Sequence, residues 1–379
     1  MGVPVSATIK TIKYFFKPVR STVLQTHFHF ICKLLKKILL YVLFKTNHLK
    51  MKKIIKNISM ILLVLLLIII GIVGYVKLAL PNVGAAPTVS INKTDARVAR
   101  GEYLANHVTI CMDCHSTRDW SRFSGPPKEG TLGMGGELFD HKFGFPGAFY
   151  SKNITPAGIS RYTDGELVRV ITTGVTKEGK ALFPVMPYHY YGRMAEEDIY
   201  SIVAYIRTLQ PVKNEVAAST SDFPMNIIIN TIPVKASFTQ LPPETDKVNY
   251  GKYLTNAAAC MECHTKFEKG SLVAGTEFGG GREFPFPDGS IVRSGNITPD
   301  KTTGTGTWTE EAFLYLFHSR SDSLTLAKKL QSGEFNSIMP WTMYGKMKDD
   351  DLKAIFAFLK TVTPVNNSVV KFTPGIAKM

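Results

Sequence analysis

Cys111-Met112-Asp113-Cys114-His115 returns 149 positions later as Cys260-Met261-Glu262-Cys263-His264, and this doubled stretch orders the rest of the chain. Working outward from it, the same landmarks appear twice in the same sequence. Gly101-Glu102-Tyr103-Leu104 and Gly251-Lys252-Tyr253-Leu254 precede the two copies, while Asn153-Ile154-Thr155-Pro156 and Asn296-Ile297-Thr298-Pro299 follow them. Met186-Pro187 then pairs with Met339-Pro340, and Tyr191-Gly192-Arg193-Met194 with Tyr344-Gly345-Lys346-Met347. The offset drifts between 143 and 153 while the order holds, as expected of one unit copied with its loops lengthened or trimmed.

The spacing of apolar residues assigns helices to both copies. Ile199, Ile202, Val203, Ile206 and Leu209 make one stripe, repeated by Leu352, Ile355, Phe356, Leu359 and Val362. Glu196, Glu197 and Asp198 open the first of these helices and Asp349, Asp350 and Asp351 the second, where the positive end of the dipole favours acids. Pro211 and Pro364 stop them. A middle helix is predicted from Thr163, with Glu166 completing a capping box, and its partner from Thr309. A short helix carrying Gly-x-Tyr-Leu runs into each Cys motif, and no run of alternating strands appears. The expectation is an all-α fold: domains at 90–210 and 248–368, a proline-rich linker at 211–247 and a tail at 369–379.

Cys-x-x-Cys-His is the attachment signal of c-type haem. Two thiols three positions apart on one helical turn reach the two vinyl groups on one porphyrin edge, and the following histidine faces the iron. Cys111, Cys114 and His115 would hold one haem, and Cys260, Cys263 and His264 a second. A redox dithiol would not need a histidine twice in the same place. A four-Cys zinc site would have to join pairs 146 residues apart, each in its own repeat. A disulfide inside Cys-x-x-Cys is strained. With five cysteines in 379 residues the chain is no disulfide scaffold either.

The sixth iron ligand should recur as the motif does. His107, His141, His189 and His318 have no histidine counterpart, whereas Met186 recurs as Met339 and Met194 as Met347. The Met-Pro pair lies in irregular stretches that can lay a thioether across a haem face, so Met186 and Met339 are the expected axial ligands, the plainer reading being core methionine. Met194 and Met347 abut the acidic helix starts and should pack beneath them. Gly135-Gly136 and Gly279-Gly280-Gly281 continue to no Lys-Ser/Thr and so are tight turns under the porphyrin edge rather than phosphate cradles. The Asn-Ile-Thr triplets formally match a glycosylation acceptor, but their repetition beside proline suggests a loop brace.

The net charge of +15 suggests a nucleic-acid binder until it is located. Residues 1–56 hold 12 Lys/Arg and no acid, leaving 33 basic and 30 acidic side chains, a net of +3, for the other 323 residues. The folded part lacks the basic surface that phosphate tracking needs. Residues 57–76 form an uncharged apolar run between Lys56 and Lys77, long enough at about 1.5 Å per residue to cross a bilayer. Lys52, Lys53 and Lys56 just before it keep the N-terminus in the cytoplasm and export the rest. The run exceeds the usual core of a cleaved signal peptide, and no cysteine stands near its exit for a lipoprotein anchor. Residues 51–80 are therefore read as a retained anchor. Phe30–Phe44, broken by Lys33, Lys36 and Lys37, is at best an interfacial helix, and Cys32 receives no role.

With these residues in hand, the chain resembles membrane-anchored dihaem cytochromes c built from two class I domains. It is similar to the cytochrome c subunits of bacterial membrane-bound alcohol, aldehyde and gluconate dehydrogenases. The resemblance covers residues 97–370 and rests on the Gly-x-Tyr-Leu helix, Cys-x-x-Cys-His, Asn-Ile-Thr-Pro, Met186-Pro187-Tyr188 and the final helix. Those subunits usually carry three haem motifs and this chain has two; Thr303–Trp308 also has no counterpart in the first copy. The resemblance implies two tandem class I cytochrome c domains, each wrapped around one covalently bound haem c and preceded by one transmembrane helix. The first and last helices of each would cross, with Gly101/Tyr103 meeting Tyr205 and Gly251/Tyr253 meeting Phe358.

Low-spin His/Met iron has no open position for substrate, so the expected task is electron transfer and no catalytic residue is assigned. The donor would be a membrane dehydrogenase or quinol-oxidising complex, and the acceptor a terminal oxidase. The chain would sit in the bacterial inner membrane with its haem domains in the periplasm. One alternative is a dihaem enzyme, of peroxidase or thiosulfate-oxidising type, with one catalytic haem; another is a non-dissociable subunit of a larger oxidase or dehydrogenase. Met51-Lys52-Lys53 is a natural beginning for an export signal, so translation is expected to start at Met51, with 1–50 no part of the working protein. N-terminal sequencing of the membrane-extracted protein checks this: a first residue before Met51 overturns it.

Overall fold

The computed structural model describes Lys37, residues 48–331 and residues 333–375. It divides into two units, Met1–Gly74 and Tyr75–Met379. The expectations for Cys32, for the interfacial helix over 30–44 and for a start at Met51 fall on or beside residues outside that description. Helix α1 (His48–Ala79) contains Met51–Ala79, which is long and apolar enough to cross a membrane. Ile61, Leu62, Leu63 and Leu66 are each more than half exposed, so the helix is apolar all round without being a core helix.

In the second unit the two repeats build the same elements in the same order. The first has α2 (Asp95–Tyr103), the Cys turn (Cys111–Cys114), α3 (Asp164–Thr173), a short turn at Tyr188–Tyr191 and α4 (Glu196–Ile206). The second has α5 (Lys247–Ala257), the Cys turn (Cys260–His264), α6 (Glu310–Ser321), a short turn at Trp341–Tyr344 and α7 (Asp349–Leu359). The predicted capping box closes at α3: Glu166 N–H donates to Thr163 Oγ1 at 3.2 Å, and Thr163 N–H donates to Glu166 Oε2 at 2.8 Å. Thr309 caps α6 through the Ala312 N–H at 3.2 Å.

The fold is mainly helical rather than all-α. Short antiparallel strands form three sheets among the described residues: β1 (Leu138–Phe139), β2 (Gly147–Tyr150) and β3 (Thr220–Ser221); β4 (Phe267–Glu268) and β5 (Ser271–Leu272); β6 (Glu283–Pro285), β7 (Ile291–Arg293) and β8 (Phe372–Thr373). Strands of two to four residues are too short for a two-residue alternation to register, which is why the sequence hides them. β3 lies in the segment expected to be linker and β8 in the expected tail, so both segments fold back onto the repeat before them.

The first and last helices of each repeat cross at a glycine. A Cβ on Gly101 would lie 1.8 Å from the Ser201 carbonyl oxygen and 2.9 Å from Tyr205 Cβ, and one on Gly251 would lie 1.8 Å from the Ala354 oxygen. Tyr205 is thus at the first crossing as expected, and Ala354, the counterpart of Ser201, makes the nearest approach at the second. The hydroxyls of Tyr103 and Tyr253 reach into the opposite repeat. Tyr103 Oη donates to Asp351 Oδ2 at 2.5 Å and accepts from the Lys348 N–H at 3.1 Å. Tyr253 Oη donates to Asp198 Oδ2 at 2.6 Å and accepts from the Ala195 N–H at 3.1 Å. These are matched positions, so the repeats meet about a pseudo-two-fold axis, each giving the other the same tyrosine and the same helix start. One apolar core runs through both, joining Leu104, Met112, Met194 and Ile199 to Leu254, Met343, Met347 and Leu352.

The Gly251→Ala chain is expected to lose about 1–3 kcal/mol or more of stability, because its new methyl meets backbone that cannot rotate away. Urea unfolding followed by circular dichroism checks this, and an unchanged midpoint would contradict the crossing.

Candidate functional site

Each Cys motif starts from a strained residue. Ile110 and Ala259, one position before the first cysteine of each pair, both take φ of 50°, a left-handed conformation uncommon for side chains with a Cβ. The helical turn that follows puts both thiols of a motif on one short segment. Cys111, Cys114, Cys260 and Cys263 form no disulfide. Burial pushes their pKa values up, to about 12 for Cys114 and Cys260, so they stand as neutral thiols. Among the described residues no three His, Cys, Asp or Glu side chains converge, so the two pairs do not combine into a four-thiolate cluster.

His115 Nδ1 lies 2.6 Å from the Lys152 carbonyl oxygen, and His264 Nδ1 lies 2.8 Å from that of Gly295. A neutral imidazole bonded this way carries its proton on Nδ1, leaving Nε2 with a free lone pair for a metal. Burial lowers both histidine pKa values, outweighing the carbonyl contact and favouring the neutral ring.

The repeated Asn-Ile-Thr triplets hold those carbonyls in place. Asn153 Oδ1 accepts from the Thr155 N–H at 3.0 Å and from its Oγ1 at 2.7 Å, while Asn153 Nδ2 donates to the Val212 oxygen at 2.7 Å. Asn296 does the same with Thr298, at 2.9 and 2.7 Å, and with the Val365 oxygen at 2.7 Å. The loop brace expected from the sequence is present, and it anchors the residue just after the one whose carbonyl orients the histidine. Gly135 and Gly280 complete it from the other side. With φ of 72° and 74°, their N–H groups donate to the His115 and His264 oxygens at 2.9 and 2.7 Å. A Cβ on either would lie 2.5 Å from the carbonyl carbon of Lys152 or Gly295, so both turns require glycine.

Met186 and Met339 are half-buried against the core, as are Cys111 and Cys260. The short turns that follow the methionines are tied back to the Cys motifs: Tyr191 Oη donates to the Thr109 oxygen and Tyr344 Oη to the Ala258 oxygen, both at 2.7 Å. Met194 is 0 % and Met347 3 % exposed, so that pair is core, as expected. The sequence did not single out the two tyrosines as ties, although their repetition at one offset was its available signal.

The acid between the cysteines differs in its surroundings. Asp113 is buried, paired with Arg118 at 3.0 Å and with Oδ1 unpartnered, and burial outweighs the arginine to push its pKa up to about 6. Glu262 receives Arg282 at 2.6 Å and Tyr190 Oη at 3.3 Å, with His189 Nε2 at 3.5 Å. Burial opposes its charge, but His189 and Arg282 outweigh burial and hold its pKa at about 2.

This donor set fits covalently attached haem: paired neutral thiols, an adjacent imidazole presenting Nε2, and a thioether loop tied to the same segment. Residues 248–363 match the family described as Cytochrome c, so the second repeat is a cytochrome c domain. Over about three quarters of its length the chain is similar to cytochrome c subunits of dehydrogenases. It is 27 % identical over 314 residues to the cytochrome c subunit of the quinone alcohol dehydrogenase of Gluconacetobacter polyoxogenes, covering 78 % of this chain and 63 % of that one. It is 28 % identical over 306 residues to the fructose dehydrogenase cytochrome subunit of Gluconobacter japonicus, covering 75 % and 57 %. A dihaem c-type cytochrome of Cereibacter sphaeroides is 27 % identical over 268 residues, covering 67 % and 82 %. The chain thus spans less than two thirds of the length of the two dehydrogenase subunits.

A carboxylate with depressed pKa stabilises the fold above its unfolded pKa of 4.5, a contribution lost as pH falls toward 2. The wild type is expected to exceed Glu262→Gln by up to about 3 kcal/mol at neutral pH, with the gap closing between pH 4.5 and 2. Parallel thermal unfolding across that range checks it; a gap independent of pH contradicts the assignment.

Proposed function

We propose that the protein is a membrane-anchored dihaem c-type cytochrome carrying electrons from a membrane dehydrogenase or quinol-oxidising complex to a terminal oxidase or other acceptor. Cys111 and Cys114 would hold one haem as thioethers and Cys260 and Cys263 the other, with His115 and His264 as proximal ligands and Met186 and Met339 as distal ligands. Bound in this way, each haem supplies a one-electron iron couple whose potential His/Met ligation raises. The chain's own residues fix the tautomer and aim of each histidine, shield the site with the shared core, and tie the thioether loops to the Cys turns through Tyr191 and Tyr344. With a histidine and a methionine both held for each haem, no open place would be left for a substrate, which supports a carrier rather than an enzyme.

The observation that carries this reading is the matched pair of histidine-to-carbonyl hydrogen bonds, made twice at equivalent residues. The dehydrogenase cytochrome subunits among its relatives support a dehydrogenase as donor. Helix α1 would tether the two domains on the periplasmic side of a bacterial inner membrane, in a single pass with the N-terminus in the cytoplasm. Such tethering keeps a carrier at high effective concentration beside its partners.

Intact mass spectrometry of the purified chain is expected to show the polypeptide plus two haem groups, and the Cys260→Ala/Cys263→Ala chain to show one. A wild-type mass without added haem overturns the proposal, as does a single haem. Spectroelectrochemical titration of the same sample should give two one-electron waves.

A further inference from the structure

The segment after the first Cys turn is docked on the methionine loop of the other repeat. Leu330 N–H donates to the Ser121 oxygen at 2.9 Å, and Arg122 and Lys329 form an isolated antiparallel bridge. Asn336 Oδ1 accepts from the Ser124 N–H at 2.9 Å, while Asn336 Nδ2 donates to the Trp120 oxygen at 3.3 Å. At the centre stands Ser124, 0 % exposed and with φ of 63°, a left-handed conformation that serine rarely adopts. Its hydroxyl donates to the Met339 carbonyl oxygen at 2.6 Å and accepts from the Trp341 N–H at 3.1 Å. Ser337 Oγ accepts from the Met339 N–H at 3.2 Å, so both peptide groups of Met339 are held.

The arrangement runs one way. Among the described residues no hydrogen bond links segment 265–278, which follows the second Cys turn, to segment 183–188 around Met186. The turn after Met186 instead meets the second repeat through Glu262.

We propose that Ser124 is a positioning residue for the Met339 thioether, so that the first repeat sets the potential of the second repeat's haem. The inference rests on Met339 as an axial ligand. Methionine has three rotatable bonds, so only a fixed backbone delivers its sulfur repeatedly to one point. The Ser124 hydroxyl bridges the peptide groups on either side of Pro340 and fixes that turn from outside its own repeat. Without it the thioether is held less firmly, and the elevation of potential that methionine confers falls.

The test uses the full chain in detergent, with Ser124→Ala and Ser124→Gly; the glycine variant removes the hydroxyl while relieving the backbone strain. Met186→His and Met339→His assign the two waves and the two contributions to the far-red absorption of methionine-ligated ferric haem. Both Ser124 variants are expected to shift the reduction equilibrium of the second haem about tenfold toward the oxidised form, about 59 mV for one electron, leaving the first in place. Both should also speed amide exchange at Trp341, whose N–H keeps only the Met339 oxygen, at 2.8 Å, once the hydroxyl is gone. An equal shift of both haems, or of neither, in chains retaining two methionine-ligated haems overturns the positioning role, since a packing defect in the first repeat would move the first haem. A wild-type far-red band that survives Met339→His intact instead overturns the ligand assignment, and the proposal with it.

Discussion

A hydrogen bond from imidazole Nδ1 to a backbone carbonyl decides, in each repeat, which ring nitrogen is left free and where it points. That bond is only as rigid as the carbonyl, and several distant segments hold it. The asparagine after Lys152 or Gly295 is locked to the threonine two positions on and to the Val212 or Val365 oxygen beyond the closing helix. Gly135 and Gly280 press from the opposite side and bond the histidine's own carbonyl. The ring's aim therefore depends on the Cys turn, the triplet loop and the end of the last helix together. Burial adds to this by keeping the ring neutral and its Nε2 lone pair available.

The two repeats share one apolar core and buried polar contacts. Asp198 and Asp351 lie in the first turns of α4 and α7, where the dipole favours their charge, and both are almost fully buried. A buried carboxylate needs donors, and each finds one in the opposite repeat's tyrosine. Burial together with the neighbouring acid drives Tyr103 and Tyr253 far above the ordinary phenol range, so both remain donors. Separating the repeats would break both tyrosine–carboxylate bonds and split a shared core, although Asp198 would keep Arg100 of its own repeat at 2.8 Å.

Much of this was legible because it was written twice. The Cys turns, the capped middle helix, the braced triplets and the core role of Met194 and Met347 each follow from a residue type recurring at a fixed place. What escaped is of two kinds. Strands of two to four residues leave no periodic trace, so the expected all-α class gave way to a mainly helical fold with small sheets. Contacts between the repeats join residues 55 to 248 positions apart, and no local pattern announces them. Gly-x-Tyr reads as a crossing motif, and the tyrosine is also long enough for its hydroxyl to find a buried acid in the other repeat.

Repetition also sharpens the meaning of the differences. If both sites carry the same ligand set, any difference in potential must come from the layer around the ligands. That layer differs in charge and in constraint. Asp113 is shielded, with one arginine and an unpartnered oxygen, whereas Glu262 is held fully anionic by Arg282 and His189. Met339 is clamped on both peptide groups, one clamp coming from the first repeat. A negative charge beside an iron stabilises its oxidised form, while a firmly held thioether stabilises the reduced one. With a haem ligated by Met339 in the second repeat the two influences would oppose each other, and Arg282 and His189 bear only on the first of them. The clamp through Ser124 would therefore let the first repeat alter that balance without touching the charges of the second.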